Sequence, residues 1–240
     1  MKELDNHFAR LFVTGTDTGV GKTVLSLFLM HHFHAIGLNP FYIKPIQTGC
    51  RDPHDTDSDS RFIYEHIPAL KGKDPAESVV YCFTNPKAPH FAARDDGKEV
   101  DPAVIKDFVE KKGASHSPLI IEGAGGLFVP VREGILVIDL IPLLGAKPIL
   151  AARAGLGTIN HTLLSLEALR VRGIEPAGVV LLDASETGVS PDMLKENIEA
   201  IESVSRVAVS GVIGKVTDFS RLPEGVEWSH YSAPEVRVGR

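Results

Sequence analysis

The chain has 240 residues, 43% of them hydrophobic, with 25 basic against 31 acidic side chains and a formal net charge of −6. That length can bury the core of one large α/β domain and requires no second one, while the acidic balance excludes general attraction to nucleic acid or an anionic membrane and leaves room only for a local basic pocket. Cys50 and Cys82 form no CxxC pair, no stretch suffices to span a bilayer, and a start carrying Glu3, Asp5 and His7 lacks the basic and apolar runs of a signal peptide, so a reduced, soluble, cytoplasmic protein is expected.

Arg10 to Thr14 reads as a buried strand, and Lys22 to about Ile36 as a helix stopped by Gly37. Between them runs Gly15-Thr16-Asp17-Thr18-Gly19-Val20-Gly21-Lys22-Thr23. Such a loop cradles phosphate: glycines turn successive backbone N–H groups inward, the lysine adds a cation, and the next hydroxyl binds Mg²⁺ at a helix N-terminus. Five residues, not the usual four, separate Gly15 from Gly21, so this is a variant P-loop. His31, His32 and His34 have no carboxylate or cysteine beside them and point in different directions around the helix, which predicts ordinary, partly exposed histidines rather than a metal site.

Pro40 to Pro45 reads as a strand ending at Lys44. In a parallel sheet the carboxyl ends of strands carry the chemistry, so Lys44 and Thr48 would face the P-loop crevice; a solvated strand-end lysine is the plain alternative. Arg51 to Asp59 is acidic and turn-like, does not meet the EF-hand pattern, and is expected to be a solvated loop with one capping aspartate before a helix from Ser60 to Glu65. Ser78 to Phe83 predicts a strand, and the proline-stiffened run Asn85 to His90 leads to a short helix at 91–93, with His90 either a ligand contact or a structural side chain. Asp101-Pro102 caps and starts a helix to Lys112.

Leu119-Ile120-Ile121 reads as a buried parallel strand with Glu122 at its end, where a P-loop enzyme places its second metal-side acid. Gly123, Gly125 and Gly126, around Ala124, permit close backbone approach to a second anion. A helix is expected over 136–145, a strand over 148–153, and then a helix from the Ala154–His161 turn to Val171; its glycine-rich start could bind a carboxylate or be only a connection. A strand at 178–182, a helix at 191–203, a last strand at 206–213 and an irregular tail from about 215 complete a single α/β domain, with a mainly parallel sheet covered by helices on both faces.

Together, the P-loop, Tyr42-Ile43-Lys44-Pro45 with Thr48-Gly49, Ser58-Asp59, Pro86 with Pro89-His90, Glu122 to Gly126, and Gly155-Leu156-Gly157 with Ile159-Asn160-His161 resemble the dethiobiotin synthetase family over most of the chain. The resemblance implies a homodimeric ligase that converts 7,8-diaminopelargonic acid, CO₂ and MgATP to dethiobiotin, ADP and phosphate through a carbamate and a carbamic-phosphoric anhydride. It implies that Thr18, Gly19, Val20, Gly21, Lys22 and Thr23 hold the nucleotide together with Gly123, Ala124, Gly125, Asp183, Gly214, Lys215 and Val216. Thr23, Asp59 and Glu122 would serve Mg²⁺, Lys22 would hold the β/γ-phosphates, and Lys44 would stabilise the carbamate and the transferring phosphoryl group. Thr48, Gly125 and Gly126 would serve the carbamate or diamine, and Gly157, Thr158 and Asn160 the substrate carboxylate across the dimer interface. This chain departs from relatives at the base: Leu182 precedes Asp183 in place of Asn, Gly214-Lys215-Val216 replaces a proline-containing segment, and Gly19 replaces an acid. Base selection is therefore expected to be altered, and preference for ATP over other triphosphates is open. Three competing readings fare worse, the first of them a nucleotide-binding module without catalysis, against which Lys44, Asp59 and Glu122 together argue. Switch ATPases of the cell-division or partition type carry a lysine where Asp17 stands, and cobyrinate amidating enzymes append a glutaminase domain.

Overall fold

A computed structural model describes residues 9–183 and 188–232; the leader reading on Glu3, Asp5 and His7 lies outside them. Strand β1 (Arg10–Gly15) feeds α1 (Lys22–Ala35), which leads to β2 (Phe41–Thr48), α2 (Asp59–His66) and β3 (Val79–Phe83). Then follow α3 (Pro89–Asp95), α4 (Pro102–Gly113), β4 (Leu119–Gly126), the hairpin β5 (Pro130–Arg132) and β6 (Ile135–Leu136), and α5 (Val137–Leu143). The chain closes with β7 (Lys147–Arg153), α6 (Thr158–Val171), β8 (Gly178–Leu182), α7 (Pro191–Ser205), β9 (Val209–Ile213) and a 3₁₀ turn at Trp228–Tyr231.

Seven strands form one sheet in the order β3-β2-β4-β1-β7-β8-β9, every pair parallel, as the strand–helix alternation predicts. The strands are continuous apolar runs because both faces are covered. On one side Phe12, Ile43, Ile121 and Leu150 pack beneath Ile105, Ile138, Leu169 and Ile201 of the later helices. On the other, Val13, Tyr42, Ile120 and Val180 meet Leu25, Phe28 and Leu29 of α1 and Ile63 of α2. No helix among the described residues is long and apolar enough to cross a membrane.

Several boundaries differ from the sequence reading, each for a local reason. β2 continues past Lys44 to Thr48 and β4 past Glu122 to Gly126, so both charged residues are mid-strand and buried rather than terminal. The burial follows because each is the other's partner, which removes the usual cost of an unpaired charge. The cap of α2 is Ser58, whose hydroxyl accepts from Arg61 N at 3.4 Å, not an aspartate. β9 starts at Val209 because Arg206, at φ 62°, closes α7 in the left-handed region.

The histidines of α1 hold the C-terminal segment against the domain. His31 Nε2 lies 3.0 Å from Phe219 O, and His32, buried rather than partly exposed, lies 2.8 Å from Ser232 Oγ with Trp228 stacked on its ring. Upstream, Gly211 approaches Gly225 so closely that a Cβ would stand 2.0 Å from the Gly225 carbonyl oxygen, and this contact covers the β9 edge. Burial lowers the pKa of His31, His32 and His34 from 6.5, helped at His31 by His66 and at His34 by His31 and Lys73, although the Phe219 carbonyl opposes the shift at His31. With the segment undocked, His31 and His32 of α1 therefore take up protons at higher pH. Docking is fully stable above the free pKa of 6.5 and weakens as pH falls through it toward the lowered native values. Emission of Trp228, the single tryptophan, is expected to shift to the red between pH 7 and about 5, ahead of global unfolding; a spectrum constant over that range would contradict this.

Candidate functional site

A cavity of about 600 Å³ opens at the carboxyl ends of β1, β2 and β4. Its floor is the loop between β1 and α1. A Cβ on Gly15 would stand 2.7 Å from Val20, so the loop can fold down on itself only over glycine. Gly21, at φ +94°, is the N-cap of α1 with no side-chain cap, which leaves the first backbone N–H groups of the helix to an incoming anion. Lys22 is folded back, its Nζ donating to the Asp17 carbonyl at 2.9 Å. Burial, and then the neighbouring Lys44, lowers its pKa to about 8.

Opposite the loop, β2, α2 and β4 bring polar and charged groups together against Thr23 of α1. Lys44 Nζ lies 2.7 Å from both Asp59 Oδ2 and Glu122 Oε1. Thr23 Oγ1 lies 2.8 Å from Asp59 Oδ1 and 3.0 Å from Glu122 Oε1, with its one hydroxyl proton for either carboxylate. Tyr42, on the same strand face as Lys44, donates its hydroxyl to Glu122 Oε2 at 2.9 Å, and the Asp59 N–H donates to Gln47 Oε1 at 3.2 Å. Burial would by itself lower the Lys44 pKa, but Asp59 and Glu122 outweigh it and hold the ammonium above its ordinary value. Burial, then Glu122 and Asp59, pushes the Tyr42 phenol up, so it remains a donor. For Asp59, burial acts upward, but Lys44 prevails and the carboxyl titrates below 3.8.

Of the residues singled out from sequence, Thr18, Gly19, Gly21, Lys22, Thr23, Lys44, Thr48, Asp59, Glu122, Ala124 and Gly125 line this one cavity. Val20 is buried beneath the loop, Gly126 backs onto the Gly15 and Thr16 carbonyls, and Gly123 faces Phe12 and Val137 instead. The other candidates lie apart from it. Gly157, at φ +91°, is the N-cap of α6; Asn160 is exposed, and the Thr158 hydroxyl is paired with Thr162 at 3.2 Å. Asp183 links the ends of β8 and β9 through its N–H to Ile213 O at 2.8 Å, with Gly214 and Lys215 exposed beyond and Val216 packed inward. Leu182 presses on the P-loop: a Cβ added to Gly21 would lie 2.5 Å from Leu182 Cδ2. His90 makes a ring contact with Phe91 at 5.1 Å and does not line the cavity.

Two contributions escaped the sequence reading. Gln47 fixes the start of α2, and Ala88, Val129 and Ile46 join Pro86 and Pro89, already quoted in the resemblance, to give the cavity an apolar side. Period-2 spacing from Lys44 would have found Tyr42, already quoted as part of a motif without a role.

The oxygens of Thr23, Asp59 and Glu122 converge as a set of hard donors that suits Mg²⁺. Among the described residues no group of three or more His, Cys, Asp or Glu gathers to hold a metal, and this site offers two carboxylates and a hydroxyl.

Phosphate is what the loop can hold, and neutralisation of charge beside it is what the buried cluster can supply, which makes the chain a P-loop nucleotide-binding protein. A family model described as an AAA domain matches residues 9–222. An ATP-dependent dethiobiotin synthetase BioD of Anaeromyxobacter sp. (strain Fw109-5) is 43% identical over 178 residues, 74% of this chain and 78% of that protein. The protein of the same name from Methanococcus vannielii is 33% identical over 87% of this chain and 95% of its own length. The cell-division protein MinD of Aquifex aeolicus superposes with a TM-score of 0.54 at 15% identity, covering 89% of this chain and 86% of its own, a likeness of fold alone. The chain belongs to the ATP-dependent dethiobiotin synthetase family.

Proposed function

We propose that the protein catalyses ATP-dependent carboxylation and ring closure of 7,8-diaminopelargonic acid to dethiobiotin. The observation that carries this is Lys44. A P-loop needs one lysine for its phosphates, and here a second, buried ammonium stands in the same cavity beside Thr48 and the Gly125 turn. A second cation next to the phosphate cradle suits a second anion, and a carbamate is such an anion. One substrate amine takes up CO₂ and loses a proton to give the carbamate. A carbamate oxygen then attacks the γ-phosphorus with departure of ADP, and the second amine attacks the carbonyl carbon of the mixed anhydride and expels phosphate. Lys22 and the loop N–H groups hold the phosphates, Lys44 orients the carbamate and offsets charge on the transferring group, and Thr48 with Gly125 and Gly126 positions the diamine. Thr23, Asp59 and Glu122 hold Mg²⁺, which when bound neutralises phosphate oxygens. Asp183 and Gly214 to Val216 border the base, where Leu182 offers no polar atom to read it.

The protein works as a homodimer in this reading, and is soluble and cytoplasmic. Leu164, 63% exposed beside Phe128, and Val171, 70% exposed seven residues further along α6, form an apolar surface that a second copy would cover and that would bring the Gly157 to Asn160 turn toward a neighbouring cavity. A single-chain mass by sedimentation at micromolar concentration would exclude the dimer.

The deciding assay is phosphate release with Mg²⁺, bicarbonate and diamine, run with ATP, GTP, CTP and UTP side by side. Release that requires the diamine, with modest discrimination among bases, is expected. Its absence with all four triphosphates would remove the synthetase reading.

A further inference from the structure

Tyr42 enters β2 two residues before Lys44, so both side chains leave the same face of the strand. Its ring is fully buried among Ile120 and the α1-side core, and its hydroxyl reaches Glu122 Oε2 at 2.9 Å. The other oxygen of that carboxylate, Oε1, faces Lys44 Nζ at 2.7 Å and Thr23 Oγ1 at 3.0 Å. The two oxygens therefore have separate tasks: one is tied back into the core, the other turned to the cavity. A glutamate's terminal torsion is broad and two-fold, so an untied carboxylate would rotate and present either oxygen or neither squarely. An apolar core position does not call for a hydroxyl, and burying one stabilises little unless it is bonded.

We propose that Tyr42 is a positioning residue for the divalent cation: its hydroxyl holds the carboxylate plane of Glu122 so that Oε1 stands beside Thr23 Oγ1 and Asp59 Oδ1. The inference rests on the reading of Glu122 as a metal-side acid. Tyr42 is not among the residues that line the cavity, whereas Glu122 is, so Tyr42 acts only through Glu122. An outer partner of a metal-binding carboxylate typically carries a factor of about 10 to 100 in metal affinity.

The test is Tyr42→Phe, which keeps the ring and removes only the hydroxyl; Tyr42→Met, apolar and similar in bulk, serves as a second variant. Mn²⁺ is the probe, titrated by its EPR signal into protein saturated with ADP. Both variants are expected to bind Mn²⁺ roughly 10-fold more weakly, with the KM for Mg²⁺ in turnover rising by the same factor. At saturating Mg²⁺, kcat should stay within about three-fold, and ADP affinity without metal within about two-fold, of the unaltered protein. In a Glu122→Gln background, removing the hydroxyl should have no further effect, since the group it positions is gone. Mn²⁺ affinity unchanged within two-fold in both variants would overturn the role of Tyr42 alone. Equal loss of ADP affinity without metal would mean a structural role and would overturn it too. Unaltered protein that fails to bind Mn²⁺ with ADP, or Glu122→Gln that binds it normally, would take down the reading of Glu122 and this proposal with it.

Discussion

Lys44→Met is expected to lower turnover by about 10³-fold while nucleotide affinity stays within a few-fold. The side chain is buried and paired at 2.7 Å with each of two carboxylates, so the charge is held in place before substrate arrives and needs no reorganisation during reaction. Removing one preorganised cationic or donor group aimed at developing charge costs about 10² to 10⁵ in rate across acyl and phosphoryl transfer. Nucleotide binding is spared because the cradle formed by Gly21 and Lys22 belongs to β1 and α1, a different part of the wall. Methionine keeps most of the buried stem, which separates lost charge from lost packing. The variant leaves Asp59 and Glu122 facing each other without their ammonium, and an unpaired buried charge of this kind destabilises by roughly 3–5 kcal/mol. The assay therefore belongs at saturating Mg²⁺, and a falling melting temperature without metal is part of the expectation. Single-turnover measurement of phosphate release against a nucleotide binding titration decides the matter. Turnover within ten-fold of the unaltered protein would show that Lys44 does not touch the transferring group.

The legible and illegible parts of this site divide along physical lines. The P-loop, Lys44 and Glu122 are legible because each chemistry requires a residue type at a fixed place relative to a strand or a helix start, whereas Asp59, in an acidic turn-like run, reads by itself as a capping residue and gains its metal-side role only from the family resemblance. The seven-stranded sheet follows from apolar runs alternating with helical periods. The strand ends are the illegible part: Lys44 and Glu122 look terminal one at a time, and only their mutual contact across neighbouring strands buries both in mid-strand. The same blindness hid Gln47 and the tail-holding work of His31 and His32, whose partners Asp59, Phe219 and Ser232 are 12, 188 and 200 residues away in sequence. Gly157, Thr158 and Asn160 lie outside the cavity of their own chain, so their part in the site depends on the proposed second copy.

Lys22→Ala, by contrast with Lys44→Met, is expected to abolish nucleotide binding and turnover together without weakening the unliganded fold. Lys22 is 7% exposed, and burial beside Lys44 depresses its pKa from 10.5 to about 8. A lysine with a lowered native pKa is destabilising wherever it is charged, so below about pH 8 it costs the free protein on the order of 3 kcal/mol. Its one bond in the unliganded state, to the Asp17 carbonyl, returns little of that. Alanine removes the desolvated charge, and the melting temperature of the free variant should equal or exceed that of the unaltered protein. The liganded state reverses the sign. There the ammonium stands in the glycine cradle itself, and phosphate oxygens replace the solvation it lost. At nucleotide concentrations 100-fold above the dissociation constant the unaltered protein gains about 2.7 kcal/mol on binding, a rise of several degrees in melting temperature. The variant should show none of that rise. Thermal melts with and without MgADP read both halves at once, and a variant that keeps the full nucleotide-induced rise would mean that the cradle holds phosphate by its backbone alone.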